Sequence, residues 1–345
     1  MKVLVTGAGG FLGRYAVDQL LQRGHSVRAL VRPASAKRQW TGAVELFYAD
    51  LRVHDNLVSA FADIDAVLHL AAATSGNEDV QFSSTVVATE RFLEAMAQSS
   101  AKRLVLVSSL VVYDWAAAKG TMDETTPLVR HPYDLGAYTI AKVWQERVAQ
   151  KMARAHGWDL TIVRPGFIWG AGHAEIAGMG RRFGPVQLMF GPFTRLPLTH
   201  VINCASVLIA ALEKPTVAEK IFNIVDSDDI RVWRYAREYS RRSGQRAFPI
   251  PLPYSFGLGV ARLASFVSHV LFGNKGKLPS LLTPRRFQWQ FKPLRFSNKS
   301  LKTTLAWRPP LSFDDCLRQT YGVEHRGLNG GNVAAGHAPR PKDMQ

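Results

Sequence analysis

Tyr138-Thr139-Ile140-Ala141-Lys142 places a phenol and an ammonium four residues apart, so a helix here presents both on one face. That pair suits the interconversion of an alcohol and a carbonyl. Hydride reaching a carbonyl carbon requires a proton donor at the oxygen. A free tyrosine, with a pKa of about 10, holds its proton too tightly to cycle easily at neutral pH. A neighbouring Lys⁺ stabilises the tyrosinate and lowers that value. A further group must hold the substrate oxygen. Val105-Leu106-Val107-Ser108-Ser109 brings serine hydroxyls to the end of an apolar run, the edge where open α/β sheets bind their ligands.

The hydride needs a carrier, and Thr6-Gly7-Ala8-Gly9-Gly10-Phe11-Leu12-Gly13 reads as its binding turn. Gly7 permits the tight turn, Gly10 lets the backbone approach a pyrophosphate, and Gly13 lets the following helix pack close to the strand. Phosphates then rest on the helix N-terminus at Phe11 and Leu12, where free N–H groups and the helix dipole favour anions. The expected cofactor is a nicotinamide dinucleotide, whose positive oxidised ring adds to Lys142 in lowering the Tyr138 pKa.

The end of the second strand chooses between the two dinucleotides. An enzyme that prefers NAD usually carries an acidic residue there for the ribose hydroxyls. This chain has Val31 followed by Arg32, and a guanidinium pairs with a 2′-phosphate that a carboxylate would repel. Arg28, Lys37 and Arg38 add positive charge nearby. NADP is therefore expected, with NAD left open.

These groups need a parallel sheet to position them. The first 170 residues alternate short apolar runs with amphipathic stretches. Strands are expected at Val3–Thr6, Ser26–Val31, Val44–Tyr48, Ala66–Leu70, Leu104–Ser108 and Leu160–Arg164. Helices are expected at Phe11–Arg23, about Thr85–Gln98 and Ala137–His156. The fold class is α/β, a Rossmann-like doubly wound parallel sheet with a smaller, mostly C-terminal substrate-binding lobe. Residues 1–170 form the cofactor domain, its sheet completed by about 199–226; residues 171–198 and 227–322 form the lobe. Gly170–Leu196 reads as loop and short helix, and 323–345 as a disordered tail without periodicity.

The spacing Thr-Gly-x-x-Gly-x-x-Gly from Thr6 to Gly13 resembles the short-chain dehydrogenase/reductase superfamily, and later residues fit its extended branch, the NAD-dependent epimerase/dehydratase family. The resemblance runs from residue 2 to about 320 and is most specific before residue 170. It implies that Ser109, four residues before the Tyr113 of Val112-Tyr113, is the catalytic serine, with Ser108 beside the nicotinamide. It also implies that Asp50 and Leu51 contact the adenine. Ala71 and Ala72 of His69-Leu70-Ala71-Ala72 line the cofactor. Lys142 reaches the nicotinamide ribose as well as serving Tyr138, and Pro165 of Arg164-Pro165-Gly166 closes over the nicotinamide. Thr85, Ala88 and Asp114 depart from the residues that many relatives carry, and none of the three removes a proton-transfer group.

Extended relatives include epimerases, dehydratases, hydroxysteroid dehydrogenases and ketone reductases. Leu110-Val111 stands where the sugar dehydratases carry Asp-Glu, which argues against that dehydration. The run Leu196–Val201, with Asn203-Cys204-Ala205 and Phe222–Asp226, is closer to the 3β-hydroxysteroid dehydrogenase and ketone reductase branch. The expected reaction is alcohol–carbonyl interconversion on an apolar or ring-bearing substrate, with Trp169, Met179, Phe183, Met189, Phe190 and Phe193 as a pocket lining. Arg181 and Arg182 are a phosphate site or a solvated pair. Two alternatives stay open: a sugar-nucleotide epimerase with tightly held cofactor, and a non-catalytic NADP-binding regulator on the same fold.

With 47% apolar and 20% charged residues, the composition excludes a disordered or membrane-embedded chain. Cys204 and Cys316 lack metal-ligand spacing and read as reduced thiols, so no metal is expected. Lys2–Val5 is too short for an export signal, and a cytoplasmic location is expected. The net charge of +16 is uneven: residues 1–230 hold 23 Lys and Arg against 22 Asp and Glu, residues 231–345 hold 20 against 5. The expected partner is a small-molecule substrate, not nucleic acid. A homodimer is left open. So is peripheral membrane contact through 251–272, where Leu258, Arg262, Ser265 and His269 would share one helical face while Val260, Leu263, Ala264, Val267 and Leu271 take the other.

Overall fold

The computed structural model describes residues 1–32, 40, 44–53, 57–214, 220–226, 229–245, 247–273 and 278–322. Lys37, Arg38 and the 323–345 tail therefore lie outside the described residues. Seven strands build the central sheet: β1 (Lys2–Thr6), β2 (Ser26–Val31), β3 (Val44–Tyr48), β4 (Ala66–His69), β5 (Arg103–Val107), β6 (Asp159–Pro165) and β7 (Ile221–Ile224). Their order is β7-β6-β5-β4-β1-β2-β3, with every neighbouring pair parallel. The chain builds outward from β1 through β2 and β3, then returns to add β4 on the other side of β1. That reversal opens a crevice at the carboxyl ends of β1 and β4.

Both faces of the sheet are covered, so its strands are apolar runs. Val3 and Val5 pack on one face with Val17 and Leu20 of α1 (Phe11–Gln22) and Val207 and Leu208 of the later helix Val201–Glu213. Leu4 packs on the other face with Phe92 and Met96 of α2 (Ala88–Ala97) and Ala149 and Ala153 of α3 (Ala137–His156). Successive strand residues point to opposite faces, so one strand serves both cores. Gly157, left-handed at φ 63°, ends α3.

The helix expected from Thr85 starts earlier. Asn77 Oδ1 accepts the Val80 N–H and caps Glu78–Phe82, and a π-turn at Ser83–Val87 then leads into α2. Thr85 sits in that turn, and its hydroxyl accepts the Ala73 N–H at 2.9 Å. Its departure from the family residue thus holds the backbone beside the crevice.

Gly170–Leu196 is also more regular than expected. Val186–Phe190 pairs antiparallel with Arg181–Phe183 and parallel with Phe248–Leu252. The partner strand lies some sixty residues on and contains Pro249 and Pro251, which argue against a strand in the sequence. It is an edge strand, where proline is tolerated.

Beyond it α4 (Val201–Glu213) is followed by α5 (Tyr254–Phe272) and α6 (Pro284–Phe291) among the elements that matter below. The expected division of α5 is corrected. Leu258 is buried and Ser265 half-buried, whereas Arg262 and His269 are exposed beside Val260, Leu263, Val267 and Leu271. Gly257 sets this orientation, because a Cβ there would meet the Phe287 ring at 2.4 Å.

Candidate active site

Gly7 adopts φ +68°, and a Cβ at that position would meet the Ala71 nitrogen at 2.9 Å. A Cβ at Gly13 would lie 2.1 Å from the Gly7 carbonyl oxygen, so α1 can pack on the turn only with glycine there. Gly10 is the N-cap of α1, which has no side-chain cap and no acidic residue in its first turn. The positive end of α1 is thus free of competing carboxylates, as an anion site requires. These residues fit a dinucleotide.

Two chambers share Gly7, Gly10, Leu70 and Ala72 as common wall, with volumes of about 480 Å³ and about 520 Å³. Phe11, Leu12, Gly13, Ser108, Ser109, Tyr138, Lys142 and Pro165 line the first. Arg32, Asp50, Leu51 and Ala71 line the second. The crevice therefore brings together the catalytic and cofactor-binding residues expected from the sequence.

At the Arg32 end, Arg52 grips Asp50. Its Nε donates to both carboxylate oxygens at 3.0 and 3.1 Å, and its Nη2 donates to Oδ2 at 2.6 Å. Arg52 holds the Asp50 carboxyl below its usual range, and the Arg32 charge adds to the effect. Arg32 itself is exposed. Arg28 is a correction: its guanidinium faces away, pairing with Glu45 at 2.9 Å and donating to the Ala60 and Ala62 carbonyls. Strand alternation turns it to the buried face, beside its register partner Glu45.

At the other end, burial pushes the Tyr138 phenol up to about 12, against the lowering effect of a hydrogen bond with the Ser109 side chain. The Ser109 hydroxyl also accepts the Val111 N–H at 3.3 Å. Burial pushes Lys142 down to about 7, opposed by the Glu146 carboxylate. Its ammonium donates to the Val107 carbonyl and to Gln145 Oε1, each at 2.9 Å. The Ser108 hydroxyl is buried with no partner among the described residues.

A buried polar chain behind Lys142 was absent from the sequence expectations. Gln145 Nε2 donates to Thr89 Oγ1 at 2.9 Å and to the Ala71 carbonyl at 3.2 Å. His69 bridges Thr89 at 2.9 Å and Thr6 at 2.8 Å. Gln145 stands three residues after Lys142, a spacing that places it on the same helical face. Thr89 and His69 carry no comparable local signal.

The expected aromatic lining is not observed. Trp169, Met179 and Met189 belong to one buried cluster and Phe190 to another, while Phe183 and Phe193 are exposed. The chamber that Tyr138 lines is walled instead by Leu110, Val111, Trp115, Phe167, Ile168, His173, Pro197 and Trp289. The region near residues 169–193 builds the support for this wall, and local composition does not separate support from lining. Arg182 donates to the Gly184 carbonyl at 3.0 Å and to Gln245 Oε1 at 2.8 Å on an exposed strand, so the pair with Arg181 lies outside the crevice. Cys204 and Cys316 are buried and form no disulfide.

The NAD dependent epimerase/dehydratase family model matches residues 3–225. The 4-hydroxy-2-methyl-3-oxo-4-farnesyl-3,4-dihydroquinoline-1-oxide ketoreductase of Stigmatella aurantiaca is 35% identical over 274 residues, covering 76% of this chain and 79% of that one. A 3 beta-hydroxysteroid dehydrogenase/Delta 5-->4-isomerase of Mycobacterium tuberculosis is 30% identical over 265 residues, covering 71% and 70%. The solved structure of MoeE5 in complex with UDP-glucose and NAD has a TM-score of 0.70 over 95% of this chain and 100% of that one, at 21% identity. That likeness bears on the fold alone. The chain belongs to the NAD-dependent epimerase/dehydratase family and is an NAD(P)-dependent oxidoreductase of the extended short-chain dehydrogenase/reductase type.

Proposed function

We propose that this enzyme interconverts a ketone and an alcohol on an apolar, ring-bearing substrate, using NADP. The observation that carries the reading is one chamber holding Ser109, Tyr138 and Lys142, closed by Leu110, Val111, Trp115, Phe167, Ile168 and Trp289. Apolar and aromatic walls with a few convergent polar groups suit such a substrate. The named relatives point the same way, since one reduces a farnesylated dihydroquinoline oxide and another acts on hydroxysteroids.

In this reading residues 1–170, with 199–226, hold the cofactor, and 171–198 with 227–322 form the substrate lobe, which contributes His173, Pro197 and Trp289 to the chamber. The glycine turn and the start of α1 hold the pyrophosphate. Asp50 and Leu51 face the adenine. Arg32 takes the 2′-phosphate, and Arg52 supports it by neutralising Asp50, a carboxylate lining the same chamber. Ala71, Ala72, Ser108 and Pro165 line the remainder of the path. When bound, the nicotinamide supplies or accepts the hydride.

Ser109 holds the substrate oxygen and orients it toward Tyr138. Burial raises the phenol to about 12 instead of the expected lowering by Lys142, so it is protonated at neutral pH and gives its proton to that oxygen during reduction. Lys142, anchored by Val107 and Gln145, stabilises the tyrosinate left behind. Trp115 and Trp289 keep bulk water from the reacting oxygen.

An NADPH-oxidation screen with steroid, aromatic and prenylated ring ketones, run beside sugar nucleotides, tests the reading. The expected result is one NADPH consumed per alcohol formed. Retained nucleotide with sugar-nucleotide interconversion and no net redox change would overturn it in favour of an epimerase. NADPH binding with no turnover on any class would leave a non-catalytic regulator.

A further inference from the structure

We propose that α5 is a docking surface for an anionic lipid membrane, lying in the plane of the interface. Phe256, Leu263, Phe266, Val270, Leu271 and Phe272 are each 56–66% exposed along this one helix. Soluble monomers seldom expose so continuous an apolar surface without a partner. The helix is long and apolar enough to cross a membrane by length and composition, but its contacts rule against a span. Gly257, Leu258 and Ala261 are buried on the protein's own Phe190 and Phe287, and Arg262 is exposed near its middle. One side belongs to the protein and the other is bare, which is the arrangement of an interfacial helix.

Charge selects the occupant. From residue 239 to residue 313 the chain carries 13 Lys and Arg and not one Asp or Glu. Within the protein Arg241 and Arg242 pair with Glu238, and Arg285 pairs with Asp134. But α5 itself exposes Arg262 and His269 and has no Asp or Glu, so a second copy placed face to face would bring two such helices together with no carboxylate on either. An anionic phospholipid surface supplies the negative charge and the apolar medium at once. The docked face also lies one helix from the crevice. Phe287 and Phe291 of α6 pack against Leu258 and Ala261, while Trp289 of α6 lines the chamber with Tyr138. The docking itself is independent of the redox chemistry proposed above.

Flotation of the full chain with phosphatidylcholine vesicles, with and without phosphatidylglycerol, at low and high salt, tests the proposal. Wild type should float with the anionic vesicles and lose most of that binding at high salt. The double variant Leu263→Glu/Val270→Glu should bind them about tenfold or more weakly, while NADPH affinity and thermal unfolding stay as in wild type. Both positions are exposed and neither lines the crevice, so these controls separate docking from folding. The proposal is overturned if wild type stays soluble with anionic vesicles or floats equally with neutral ones. It is also overturned if the double variant floats like wild type. Light scattering that shows a dimer dissolved by the double variant, with no vesicle binding, would instead make a second copy the occupant.

Discussion

Arg164 and Glu146 form a bidentate pair inside the protein, with Nε to Oε1 at 2.8 Å and Nη2 to Oε2 at 2.6 Å. Both side chains are almost fully buried, at 1% and 4% exposure. The pair fastens α3, which carries Tyr138 and Lys142, to β6. The same guanidinium lies 4.8 Å from the centre of the Tyr113 ring, and the Tyr113 hydroxyl donates to Asn223 Oδ1 at 2.7 Å. Burial alone would lower the Arg164 pKa, but the hydrogen bond and charge of Glu146 raise it instead. Removing one partner of such a pair costs about 3–5 kcal/mol, because the other is left buried and unpaired. Glu146→Ala should lose that much in denaturant unfolding, and Glu146→Leu/Arg164→Met should recover part of it. A loss under about 1 kcal/mol for Glu146→Ala would show that water or a rearranged side chain takes over the contact.

Tyr138→Phe keeps the ring and removes the acid. Turnover should fall by about 10²–10⁴ while NADPH affinity stays near wild type. With the phenol pushed up to about 12, reduction, which needs the protonated form, should persist well above neutral pH. Alcohol oxidation, which needs the tyrosinate, should gain as pH rises. Stopped-flow measurements in both directions check the sign, and wild-type turnover in Tyr138→Phe would dismiss Tyr138 as the acid.

Arg32 faces the second chamber beside Arg52. If Arg32 carries the 2′-phosphate, wild type should bind NADPH more tightly than NADH, and Arg32→Ala should remove most of the difference. Loss of a charge-assisted contact of this type is worth about 1.5–3 kcal/mol, or about ten- to a hundred-fold in affinity. Calorimetric titration of both cofactors measures it. Equal wild-type affinities would assign the two arginines to the surface.

Burial pushes His69 down to about 3, with the Lys142 charge assisting. In the unfolded chain it returns to about 6.5. Between these values the unfolded chain binds a proton that the native protein does not, so stability falls as pH drops from about 6.5 toward 3. The slope from this one group is at most about 1.4 kcal/mol per pH unit. His69→Gln should flatten the unfolding curve between about pH 6.5 and 5, above the range where ordinary carboxylates titrate. An unchanged slope would place the acid sensitivity elsewhere.

What the sequence determined by itself is local. The turn from Gly7 to Gly13, the serines ending β5 and the Tyr138–Lys142 spacing each lie within one turn, strand end or helical face. Backbone geometry dictates their arrangement wherever the segment sits. The strands β1, β2, β4, β5 and β6 were legible for a related reason, since a strand buried on both faces is mostly apolar. Tertiary structure decided what stands opposite. Trp289 joins Tyr138 from some 150 residues away, whereas Trp169 and Met189, nearer in the chain, serve as support. Arg28, expected to add charge at the crevice, goes to Glu45 because β2 pairs with β3, while Arg52, absent from the sequence expectations, lines the second chamber. Likewise α5 is apolar around most of its circumference, and only the rings of Phe190 and Phe287 against Gly257 decide which side is left bare. Periodicity records how a residue faces relative to its own element; which element covers that face is a property of contacts between distant parts of the chain.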